Sequence, residues 1–231
     1  MWETILQACL AVLHLNGDVW QIVFTSLKVS VTALIVGTIL GLPFGAILAI
    51  AHFPGKDGCI TLINTLMNVP TVIIGVLVYL LLSRTGPLGS LGILFTVPGM
   101  IIAQSLLTTP LIAAISRQII SDAWQTHRET FLSLHLTLFQ QMKWILWDCR
   151  FSLMITLLAG FGRAISEVGA VMIVGGNIAH HTRTMTTAIT LETSKGDLSL
   201  ALSLGMVLIL VVLIVNLFAF FTKKMSEKKY G

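Results

Sequence analysis

The chain has 231 residues, of which 55% are hydrophobic and only 10% charged, with a mean hydropathy of +0.92 and a formal net charge of +4. A soluble domain carries roughly 25% charged residues, so this chain cannot cover itself with charge in water. That excludes an ordinary soluble enzyme and makes a polytopic helical membrane protein the first reading. The charge of +4 is no nucleic-acid signature, because its distribution along the chain matters more than its total.

At the N-terminus, "WETILQACLAVLHL" places Ile5, Leu6, Cys9, Leu10, Val12 and Leu13 at helical spacing, over a length too short to span. It lacks the basic start of a signal peptide and predicts an interfacial amphipathic helix. "NGD" at 16–18 breaks it, and Asp18 is placed to cap the next helix.

Long charge-free windows follow. No Asp, Glu, Lys or Arg occurs from Val29 to Gly55, Gly58 to Ser83, Thr85 to Ser116, or Leu198 to Thr222. Each exceeds the ~20 residues that cross a bilayer core as helix. With a fifth stretch around Phe151 to Val174, five spans are expected near 22–51, 60–83, 93–115, 150–174 and 197–222. The runs are continuous, which argues against the ~10-residue alternating strands of a membrane β-barrel. The expected fold is all-α: one transmembrane domain over 1–231, a helical bundle of about five spans plus the N-terminal interfacial helix. Pro43, Pro70, Pro98 and Pro110 lie in or beside these runs, with Asn64, Asn68, Gln104, Thr108 and Thr109. They suggest kinked, closely packed helices whose polar groups face protein or a wet path.

Five spans put the termini on opposite sides. With the C-terminus inside, Lys56, Arg117, Arg128, Lys143, Arg150 and the four lysines of "TKKMSEKKYG" are cytoplasmic. Lys28, Arg84, Arg183 and Lys195 are then outside. The basic excess marks the cytoplasmic face. Cys9, Cys59 and Cys149 are scattered and odd in number, with neither a disulfide framework nor a metal knuckle. No metal or cofactor is expected. His180 and His181 are adjacent and point different ways, so they make a poor metal site.

Residues 116–150 form the one long cytoplasmic segment. It is rich in Leu and Trp and also carries Arg, Asp, Glu, Gln, His and Lys. Apolar groups on such a segment imply a docking surface for a partner or for the bundle itself. "LSLHLTL" at 132–138 alternates like a strand. A lone strand would leave its backbone unpaired, so two short helices joined by a turn are expected.

In this segment Glu129-Thr130-Phe131, followed by Leu134-His135-Leu136, resembles the E-A-A-x-x-x-G loop of the membrane permeases of bacterial ABC importers. Thr130 and Phe131 stand where the family has alanines, and His135 where it has glycine. "RAISEVGAVMIVGGNI" and the later "TRTMTTAI" are more specific. They resemble the oxyanion branch of these permeases, for tungstate, molybdate and sulfate, and look most like the tungstate group. The likeness covers roughly residues 20–222, with strong motifs at about 129–196.

The resemblance implies an ABC importer type I permease, the non-enzymatic membrane subunit of an ATP-driven oxyanion importer. The chain has no G-x-x-x-x-G-K-S/T phosphate loop, so a separate ATPase must supply the energy. The expected assembly is a homodimer in membrane lipid, with two ATP-binding ABC subunits and an extracytoplasmic oxyanion-binding protein. Glu129, Thr130, Phe131, Leu132, Leu134 and His135 would couple to the ATPase, with Phe131, Leu132 and Leu134 as apolar anchors. Positive φ at His135 would preserve the glycine turn, since histidine adopts it better than branched residues do.

Arg163, Glu167, Asn177, Thr182, Arg183 and Thr184 are the candidate path or gate residues. Arg163 and Glu167 are four apart and would share a helix face, either as a structural lock or as path lining. The threonines would either bind anion or cap their loop. The alternatives to a tungstate permease are a molybdate or sulfate permease and, in another class, an ATP-independent channel or secondary carrier. An intramembrane enzyme would need a polar catalytic set at one depth, and none is seen.

Overall fold

The computed structural model describes residues 17–230. The expected N-terminal interfacial helix, and the capping role of Asp18, fall outside what it describes. The chain is all-α, 81% helix, with no strand among the described residues. Among the described residues three helices are long and apolar enough to cross a membrane, and up to five spans result if each of two bent pairs counts as one.

Helix α1 spans Gly17–Ile50 with Pro43 inside it. At ~1.5 Å per residue it exceeds the ~30 Å hydrocarbon core. It stops before Phe53-Pro54-Gly55, where proline cannot continue the helix and Gly55 turns at φ 85°. Helices α2 (Lys56–Met67) and α3 (Thr71–Leu82) meet at 96°. The expected continuous span at 60–83 is therefore broken. Pro70, at the N-cap of α3, lacks an N–H and pushes Val69 out of helical geometry.

After a 3-10 turn at Gly89–Leu91, α4 runs over Val97–Ser133. It carries the expected third span far beyond residue 115 and makes the first half of the cytoplasmic segment its continuation. The turn at 134–136 leads to α5 (Leu138–Asp148), where Thr137 and Gln140 form a reciprocal capping box. "LSLHLTL" is thus helix end, turn and helix start.

Helix α6 (Arg150–Ile165) meets α5 at 75°. The expected span at 150–174 ends early: Ser166–Val168 separate α6 from the short α7 (Gly169–Gly175). Helix α8 covers Met185–Lys195 and α9 covers Leu198–Tyr230.

The chain forms two compact units. One comprises Met1–Thr32, Pro70–Gln104 and Gly162–Gly231. Its core includes Val29, Met100 and Val171, with Val97 and Ile101 against them. Here α3 and α7 pack so closely that a Cβ on Gly75 would lie 2.8 Å from Ala170 Cα.

The other unit comprises Ala33–Val69 and Ser105–Phe161. Ala46, Ala49, Ile50, Ile120, Phe131, Ile145, Cys149 and Leu153 form its main cluster. Gly37, Gly41 and Gly45, one per helical turn of α1, meet Thr108, Thr109, Ile112, Ala113 and Ser116 of α4. Small residues let the two backbones approach, which is how helices gain dispersion energy where lipid removes the hydrophobic difference. Thr108 spans the seam by donating to the Ala33 carbonyl at 3.2 Å.

This seam predicts the effect of a side chain at Gly45, whose Cβ would stand 2.7 Å from the Ala113 carbonyl oxygen. Gly45→Val should cost about 1–3 kcal/mol by overpacking and lower the melting temperature of the solubilised protein. Gly58→Ala, with nothing within 4 Å, should instead be neutral or stabilise α2 by up to about 1 kcal/mol.

Candidate functional site

The segment from Arg163 to Thr187 begins at a helix break, and the chain closes that break with its own polar groups. Gln104 is buried on α4 and donates through Nε2 to the Ala164 carbonyl at 2.7 Å. Glu167 is 9% exposed, and its Oε1 accepts the Ala170 N–H at 3.1 Å. The Glu167 carbonyl accepts the Thr186 hydroxyl at 2.8 Å. The carboxylate thus supplies an acceptor to the first turn of α7, where a negative group also suits the helix dipole.

Arg163 and Glu167 therefore do not form the expected pair on one helical face. Arg163 sits in the last turn of α6, where a cation suits the helix end. Glu167 lies beyond that end. Arg163 is half-buried, and its Nε has no partner among the described residues. A spacing of four places two side chains together only if the helix continues between them, and here it stops.

The threonines take the capping role. Thr182 is fully buried; its hydroxyl donates to the Gly175 carbonyl and accepts the Ile178 N–H at 3.0 Å. Thr184 caps α8 in a reciprocal box with Thr187. Asn177 adopts φ 49°, donates through Nδ2 to the Thr187 carbonyl at 3.4 Å, and keeps Oδ1 buried with no partner among the described residues. Arg183 is half-buried and borders two cavities.

Two partners of this segment escaped sequence reasoning. Ser26 of α1 accepts the Met185 N–H at 2.7 Å, and Gln21 donates to the His180 carbonyl at 2.6 Å. The available signal was a hydroxyl and an amide inside an otherwise lipid-like run, which mark a protein-facing stripe.

The second candidate surface is the end of α4 with α5. Glu129, Thr130, Leu134 and His135 are exposed. His135 has φ 49°, the left-handed turn expected of it. Leu132 lies in the last turn of α4. Phe131 is instead buried with Ile50, Ile120 and Ile145, so it braces the turn from inside and is no exposed anchor. The cause is helical phase: α4 continues through 131 and turns that side chain toward its own unit. The exposed apolar groups that sequence reasoning did not single out are Phe139, Trp144 and Trp147, at 77%, 61% and 64%. Their signal was Trp144 and Trp147 three apart, one face of a helix.

No family model matches the chain. Over 201 residues it is 38% identical to a probable anion ABC transporter permease protein of Haloferax volcanii, covering 85% of this chain and 87% of that protein. It is also 38% identical, over 201 residues, to the tungstate uptake system permease protein TupB of Peptoclostridium acidaminophilum, covering 87% of this chain and 88% of that one. A sulfate transport system permease protein CysW of Synechocystis is 27% identical over 188 residues, 77% of this chain and 67% of that protein. Among solved structures, a bacterial ABC transporter involved in the import of the acidic polysaccharide alginate matches with a TM-score of 0.75 at 17% identity, over 92% of this chain and 81% of that one.

The separate roles of Arg163 and Glu167 are testable by a double-mutant cycle. Glu167→Ala should cost about 1–3 kcal/mol by leaving the Ala170 N–H unsatisfied. Adding Arg163→Gln should be additive within about 0.5 kcal/mol in thermal unfolding. A larger coupling would restore the paired reading.

Proposed function

This chain belongs to the permease subunits of ABC anion importers, and from that premise we propose that it carries tungstate across the plasma membrane of a bacterium or archaeon. It is a multi-pass membrane subunit of an ABC oxyanion importer. The single observation carrying tungstate as cargo is 38% identity, over 87% of the chain, to a tungstate uptake permease. Molybdate or sulfate is the second reading, favoured by the weaker likeness to sulfate permeases.

In this reading residues 1–231 are one permease domain working as a homodimer, because about five spans enclose a path poorly alone. An external oxyanion-binding protein delivers the anion, and two ATP-binding subunits power the cycle. The N-terminus is outside and the lysine-rich C-terminus cytoplasmic in this reading, which the basic excess supports. Closure of the ATPase dimer would press on Glu129, Thr130, Leu132, Leu134 and His135, with Phe131 transmitting the load into the core behind them. Phe139, Trp144 and Trp147 extend that surface. An ATP-independent carrier has no use for such a docking face.

Arg163 lends positive potential to the path, where an unpaired guanidinium attracts an anion without holding it in a closed cage. Glu167, Thr182 and Thr184 frame the path by closing helix ends. Asn177 and Arg183 lie on the loop between α7 and α8, near the outer gate.

Vesicles containing the permease, its ATPase and the binding protein should accumulate tungstate only with ATP on the ATPase side. Uptake by the permease alone, down a gradient, would favour the carrier. Leu134→Asp and Glu129→Arg should each lower co-purified ATPase several-fold while the melting temperature of the permease stays unchanged. Undiminished co-purification of both would remove the coupling role from this turn.

A further inference from the structure

The loop between α7 and α8 carries a cavity of about 110 Å³, lined by Gln21, Thr25, His180, His181 and Arg183 with the apolar Ile22 and Ala179. We propose that this cavity is a binding site for one free tetrahedral oxyanion, held chiefly by the Arg183 guanidinium. It rests on the importer reading and deepens it, because it gives the permease an anion site of its own apart from that of the delivering protein.

Charge is the first reason. Arg183 is half-buried; its backbone N–H donates to the Ile178 carbonyl at 3.1 Å, while its side-chain Nε is buried with no hydrogen-bond partner among the described residues. A buried guanidinium N–H with no acceptor leaves its desolvation uncompensated. Among the described residues no carboxylate lines the cavity. The buried Glu192 borders a separate 240 Å³ cavity on which Arg183 also opens. Glu192 pairs with Lys195 at 2.9 Å.

The second reason is preorganised donors. Gln21 is pinned to the loop at both ends of its amide: Nε2 donates to the His180 carbonyl at 2.6 Å, and Oε1 faces His180 Nδ1 at 3.2 Å. These bonds fix the α1 wall of the cavity to the loop wall. His180 is held at φ 60°, a left-handed conformation that turns the loop back on α1. Thr25 and His181 line the same cavity as Arg183, so a hydroxyl and an imidazole border it beside the five-donor guanidinium. A tetrahedral oxyanion takes several donors, and Arg offers it a bidentate face.

Size is the third. A water needs about 10–15 Å³ of such space, so the cavity takes several waters or one small oxyanion. A large organic anion does not fit.

The test uses the full-length permease with its ATPase in nanodiscs, without the binding protein, titrated calorimetrically with tungstate and, in parallel, with sulfate. Saturable tungstate binding is expected, weakened at least tenfold by Arg183→Gln and several-fold by Thr25→Val. Arg183→Lys should fall between, and Lys195→Gln should bind as wild type. Melting temperatures check that each variant is folded. Unaltered affinity in folded Arg183→Gln and Arg183→Lys would overturn the site even if the same complex imports tungstate. So would no saturable binding in a complex that imports it. Saturation by sulfate alone, with the same Arg183 dependence, would support the site and instead overturn tungstate as cargo. Repetition in lipid-free detergent should leave the affinity unchanged. Binding that appears only after lipid removal would mean that a phospholipid phosphate occupies the cavity, and would overturn a free oxyanion.

Discussion

In hydrocarbon a backbone N–H or C=O finds no water, so each must be bonded within the protein. This constraint explains why the described chain is helix nearly throughout, and it explains what happens where helices stop. At the breaks between α6 and α8 side chains stand in for the missing turn. Gln104 takes the Ala164 carbonyl at the end of α6, and Glu167 takes the Ala170 N–H at the start of α7. Thr182 joins the Ile178 N–H to the Gly175 carbonyl, and Thr184 with Thr187 closes the head of α8. A buried carboxylate suits such a place because it accepts a backbone N–H that the helix start leaves open.

The same constraint divides the charged residues by role. Glu167 is consumed by the backbone and holds geometry. Arg163 and Arg183 keep buried Nε atoms with no partner among the described residues. In the proposed importer that division would be useful: fixed negative groups serve the frame, while positive groups attract without forming a permanent trap. On the α4–α5 surface the division is between apolar groups. Phe131 is spent on the core, and Leu134 and the tryptophans stay outside, where aromatic and large apolar groups make the strongest contacts at protein interfaces.

Much of this was legible from residue order alone. Hydropathy and charge spacing determine the membrane class, the all-α fold and the first, third and last spans, because crossing a bilayer demands long apolar helices whatever the surroundings. The R-A-x-x-E-x-G-A stretch and the loop at Glu129 point to an ABC permease, and His135 takes the left-handed turn its position requires. Local capping was also within reach: Thr137 three residues before Gln140 is a capping signature written in sequence.

Tertiary structure decided the rest. Hydropathy cannot distinguish one straight span from two helices meeting at Pro70, because both are equally apolar. A spacing of four cannot reveal that the helix ends between Arg163 and Glu167, since that end is stabilised by Gln104 and Thr186, distant in sequence. Phe131 and Leu134 look alike as apolar residues of one loop, and only packing against Ile50, Ile120 and Ile145 sends the first inward. The convergence of Gln21 and Thr25 with Arg183 brings together residues more than a hundred positions apart, and no local pattern encodes it. Sequence determines the preference of each segment for lipid, helix or turn. Which polar groups meet is set by packing, because the partner that satisfies a buried group can come from anywhere in the chain.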